Sequence, residues 1–177
     1  MFRSGLQRIP GLGLAFLLIA GCANYSSFPP LDGGSPSAKA TDAPIPEVVA
    51  TSIEWCLARE DYRVAETPVV FSLPESMGDE AHERVAENLR DSGYQVMPVG
   101  EESGIEVRSV RLFGLDAAVD LSVPRGTNPR QLVTLDLHSY PFQQWTVISA
   151  NRWRFNESQL TRMHDELQES SATQEAP

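Results

Sequence analysis

Apolar residues recur along this chain in two rhythms, and the change between them falls near Tyr94. Before it, Ile45, Val49, Ile53, Cys56 and Leu57 repeat at helical spacing and predict a helix over 47–60. Pro46 suits its first turn, where a missing N–H is not needed. Val69, Val70, Phe71 and Leu73, bracketed by Pro68 and Pro74, predict a short buried strand over 69–73. Ala81, Val85 and Leu89 form the stripe of a second helix over 80–92, with Asp79 as the expected N-cap and Gly93 at the C-cap. After Tyr94 the period is two. Strands are expected over 94–99, 105–113, 117–123, 133–138 and 145–153. The apolar phase slips between Val107 and Val110, which predicts a bulge near Ser109. In the last strand Trp145, Val147 and Trp153 share one parity and are expected to face inwards.

Alternation of this kind suits an antiparallel sheet with one wet face. The fold class is therefore α+β, with two helices packed on a curved, mainly antiparallel sheet of about five or six strands. Leu160, Met163 and Leu167 add a short C-terminal helix, capped at Asn156, and 169–177 is a polar tail. The element order resembles that of NTF2-like folds, in which helices cover a bent sheet. That resemblance implies room for a pocket inside the sheet.

The N-terminus follows another logic. Arg3 and Arg8 precede an apolar run over 12–20, which is too short to span a bilayer and has the layout of a signal peptide. The segment Leu18-Ile19-Ala20-Gly21-Cys22 resembles the bacterial lipobox. The resemblance implies cleavage between Gly21 and Cys22, removal of residues 1–21, and acylation of Cys22. Two or three acyl chains, at roughly 0.8 kcal/mol per buried CH₂, hold a protein stably where one would not. In enterobacteria-like systems an Asp after the Cys retains such proteins at the inner membrane. Ala23 in that place points to the outer membrane, with the rest of the chain facing the periplasm.

Residues 23–46 carry Pro29, Pro30, Pro36, Pro44 and Pro46 with Gly33 and Gly34, and no apolar period. They are expected to form a flexible linker, 22–46 with its lipid anchor, ahead of a single domain over 47–168. As a coil the linker would reach roughly 25–30 Å from the membrane.

Composition sharpens the picture. Hydrophobic residues make up 41% of the 177, enough for a packed core. The formal charge is −10, from 14 basic and 24 acidic residues. Arg3 and Arg8 leave with the signal peptide, so the mature chain stands at −12. Such a chain repels nucleic acid and anionic lipid headgroups, so its membrane attachment is covalent lipid and not a basic patch. Cys56 is then the only remaining cysteine, and its apolar neighbours mark it as a small core residue.

Candidate chemistry is sparse. His82, His138 and His164 have no metal-ligand spacing, so neither a metal nor a cofactor is expected. Asp120, Asp136 and His138 lie on the polar phase of strands that can be neighbours. If they lined a pocket they would form an acid–base cluster; on a one-sided sheet they are the solvated face. Tyr140 and Phe142, beside Pro141, place aromatic groups on a turn, where they suit contact with an envelope protein partner. The expectation is a non-catalytic binding or scaffolding module tethered by Cys22. The rival is a small-ligand-binding or enzymatic domain with its pocket inside the sheet, and a filled core distinguishes the first from the second.

Overall fold

The structure, a computed structural model, describes residues 25–31, 38–59, 68–97, 104–125, 128–140 and 143–156. Its elements run β1 (Tyr25–Phe28), α1 (Ile45–Leu57), β2 (Phe71–Ser72), a 3-10 turn (Glu75–Met77), α2 (Gly78–Asp91), β3 (Ile105–Phe113), β4 (Asp116–Arg125), β5 (Asn128–His138) and β6 (Thr146–Asn156). The six strands form one sheet in the order β1-β3-β4-β5-β6, with β2 also on β3. All pairings are antiparallel except β2 with β3. β1 and β2 share the free side of β3, β1 at residues 110–113 and β2 at 105–106. Thus the α+β class and the two-helix, mainly antiparallel arrangement are observed.

The core lies between the helices and one face of the sheet. Cross-strand rows Leu112–Ala117–Leu137 and Val110–Val119–Leu135 are buried, as is Val107–Leu121–Val133. Ile45, Val48, Val49, Ile53 and Cys56 from α1, and Ala81, Val85 and Leu89 from α2, fill the other side. Ser52 is buried among them because its hydroxyl donates to the Val48 carbonyl at 2.7 Å, the usual way a helix hides a serine. α2 ends as its glycine predicts. Gly93 has φ +92°, the Tyr94 N–H reaches the Leu89 carbonyl and the Gly93 N–H that of Arg90, a Schellman closure.

Four expectations change. First, the stretch read as a flexible linker contains β1, and Phe28 is 1% exposed. Tyr-Ser-Ser-Phe has too little apolar content to stand out, but the unpaired backbone of β3 supplies its hydrogen bonds. Second, Asp79 does not cap α2. The chain enters through the 3-10 turn and Gly78 at φ +72°, so Asp79 sits in the first turn, where a carboxylate suits the helix dipole. Third, of the strand expected over 94–99, the described residues 94–97 form a single parallel bridge, Val69 with Val96.

Fourth, Trp153 is not core. The β5–β6 register shifts at Asp136/Leu137, where Ile148 is the extra residue between Val147 and Ser149. One inserted residue exchanges the two faces for everything after it. Trp145 and Val147 therefore pack on the core while Trp153 stands on the opposite face, 51% exposed. The bulge expected near Ser109 is present between Val107 and Ser109. The helix expected after Asn156 lies outside the described residues; Asn156 itself ends β6.

Candidate functional site

The chemistry-bearing side chains gather on the sheet face that the helices leave uncovered. Pleating puts Ser109, Asp120, Thr134 and Asn151 in one cross-strand row there, and Arg111, Ala118, Asp136 and Ser149 in the next. Asp120 is the hub. Its Oδ2 accepts from the Ser109 hydroxyl at 2.6 Å and from Arg111 at 2.9 Å, and its Oδ1 from the Thr134 hydroxyl at 2.6 Å. Trp153 extends the network by donating its indole N–H to Thr134 Oγ1 at 2.9 Å. A carboxylate whose two oxygens already hold three donors is occupied, which suits a structural tie between three strands better than proton transfer.

Beside this hub Arg130 clamps the other end of the face. Its guanidinium donates to the Ser122 hydroxyl at 2.8 Å, the Ser122 carbonyl at 2.7 Å and the Gly104 carbonyl at 2.8 Å. Against the Asp120 hub lies a depression of about 270 Å³ lined by Arg108, Asp120, Leu121, Leu132, Val133 and Trp153. It is open to solvent and sits outside the sheet, not within it.

At the far end of the same face, His138 Nδ1 lies 2.7 Å from Asp116 Oδ1, and its ring meets Tyr140 edge-on at 4.6 Å. Sequence reasoning grouped Asp120, Asp136 and His138 in one possible pocket. The structure separates them: His138 pairs with Asp116, Asp120 with Ser109, Arg111 and Thr134, and Asp136 joins neither cluster. Asp116 begins β4 directly after a turn, a position at which pattern reading gave no reason to single it out.

Tyr140 is exposed, as its place on a turn suggests. It is not alone. Tyr25 is the cross-strand partner of Phe113, and Leu115 occupies the two-residue β3–β4 turn with Gly114 at φ +62°. The Ser139 N–H donates to the Leu115 carbonyl at 2.9 Å and so brings Tyr140 to the same end of the sheet. Tyr25, Phe113, Leu115 and Tyr140 are 42%, 57%, 49% and 53% exposed and gather at one end of the sheet, with Asp116 and His138 between Phe113 and Tyr140. Gly21, Cys22 and Phe142 lie outside the described residues.

The remaining candidates are structural. Cys56 is buried, and desolvation pushes its thiol up to about 12 against a smaller opposing pull from Arg59. Such a thiol is inert as a nucleophile. His82 stacks on Phe71 at 4.2 Å and lies 3.2 Å from the Phe71 carbonyl, so it is less solvated than its charged neighbours implied. Among the described residues no group of three or more His, Cys, Asp or Glu is placed to hold a metal ion. No helix among them is long and apolar enough to cross a membrane. No family model, curated protein or solved structure matches the chain.

Proposed function

We propose that this chain is a bacterial envelope lipoprotein, anchored by acyl groups on Cys22, that acts by binding or scaffolding rather than by catalysis. The anchor rests on Leu18-Ile19-Ala20-Gly21-Cys22 and on the basic and apolar segments before it. Ala23 favours the outer membrane, with the folded domain in the periplasm.

The non-catalytic reading is carried by one observation: the helix-covered face of the sheet is filled. Val107, Val110, Val119, Leu121, Val133, Leu135 and Leu137 are all at most 1% exposed beneath the helices. The helices over a strand meander support a likeness of element order to NTF2-like folds, but here the space between helices and sheet is packed with side chains. On the outer face, Asp120 and Arg130 are spent on tying strands together. What is left for contact is surface, where Tyr140, Ile148 and Trp153 are among the exposed large apolar side chains.

Site-specific photo-crosslinking in whole cells tests this. Probes at exposed positions such as Ile148 and Trp153 should trap discrete protein adducts, and Cys22→Ser should abolish them. Absence of any adduct, together with thermal stabilisation of the domain by a small metabolite, would overturn the reading in favour of a ligand-binding or enzymatic one.

A further inference from the structure

We propose that the aromatic end of the sheet rests in the lipid interface, so that the domain lies against the membrane with a fixed orientation instead of standing off on a tether. The proposal rests on the reading of Cys22 as the lipidated residue. Its basis is a length. β1 begins at Tyr25, with only Ala23 and Asn24 between it and Cys22. However those residues are arranged, three residue steps span at most roughly 10–11 Å. A strand starting that close to an acylated cysteine cannot leave the headgroup region.

The direction of β1 then selects the surface. It runs from Tyr25 towards Phe28, away from the end where Phe113, Leu115 and Tyr140 gather, so the anchored end and the aromatic end are the same. The patch has the residue types of an interfacial belt: two tyrosines, a phenylalanine, and a leucine on a hairpin tip. Its polar members, Asp116 and His138, lie 2.7 Å apart, Oδ1 to Nδ1. The chain as a whole is strongly acidic, so contact here is apolar and does not depend on anionic lipid. An exposed patch of this kind would be a liability on a free domain; held at the interface it is covered.

The test uses the full chain expressed in a bacterium that acylates lipoproteins, extracted and reconstituted into phosphatidylcholine vesicles. An environment-sensitive fluorophore is attached at Phe113→Cys or Leu115→Cys, and at Glu87→Cys on the exposed side of α2 as a reference; labelling is done on folded protein, in which Cys56 is buried. The intact mass of each sample establishes whether Cys22 carries acyl groups. With the acyl groups present, lipids bearing a nitroxide near the headgroup should quench the probes at 113 and 115 several-fold more than the probe at 87. Equal quenching at all three positions in acylated protein would overturn the proposal while leaving the anchor intact, and would assign the patch to a protein partner. A mass showing Cys22 unmodified would remove the anchor and this proposal with it.

Discussion

Phe28→Ala separates a folded β1 from a flexible linker more sharply than any other single change. In a linker the substitution would be felt by less than about 0.5 kcal/mol. In this structure Phe28 is 1% exposed, packs into the core from the edge strand, and faces Val110 across the β1–β3 pair. Truncating a buried phenylalanine removes its transfer free energy and leaves a cavity, together worth about 3–5 kcal/mol. At roughly 2–4 °C per kcal/mol for a chain of this size, the melting temperature should fall by about 6–20 °C. Leu31→Ala is the matched control, because Leu31 is among the exposed apolar residues and should shift the melt by no more than a degree or two. Circular dichroism melts of the chain from Cys22 onwards are sufficient. A Phe28→Ala melt superimposable on wild type would refute the placement of β1, and the short distance to the membrane would fall with it.

Three further outcomes follow from the same geometry. Cys56 should react with a thiol reagent far more slowly in folded than in unfolded protein. Because burial raises its thiol from about 9 to about 12, folding stability should decline as pH rises from 9 towards 12, and Cys56→Ala should flatten that decline; rapid native labelling would contradict it. Asp120→Ala strands the Ser109 and Thr134 hydroxyls and the Arg111 guanidinium on a half-exposed face, so it should cost about 1–3 kcal/mol in urea titrations, and an unchanged midpoint would show the hub to be incidental. At Gly104→Ala the new Cβ would overlap the Val70 carbonyl, which already accepts the Ile105 N–H, so loss of more than about 2 kcal/mol is expected; a neutral result would mean that β2 docks differently.

Both helices were legible in the sequence because their stripes are long and their ends are signalled by Pro46 and Gly93. β3 was legible to the residue, and so was its bulge, since the phase slip from Val107 to Val110 is visible in the sequence. β1 was not, because its four residues gain their order from β3 and carry almost no pattern of their own. Trp153 was assigned to the wrong face for a related reason: the bulge at Ile148 is set by pairing with β5, and nothing in the local sequence of β6 marks it. Asp120 was singled out correctly as a polar-face residue, but its role depends on Ser109 and Arg111 from the neighbouring strand. The aromatic end assembles residues 25, 113, 115 and 140, whose separation along the chain hides that they form one surface. Only Tyr140, beside a turn proline, gave a local signal.

The anchor underlies the whole account, and the intact mass of the protein extracted from its own membrane tests it most directly. The account predicts a chain that has lost residues 1–21, begins at Cys22, and carries the added mass of a diacylglyceryl group, with or without a further acyl chain on the new amine. A protein that retains Met1, or that begins elsewhere with Cys22 absent or bearing a free thiol, would contradict it.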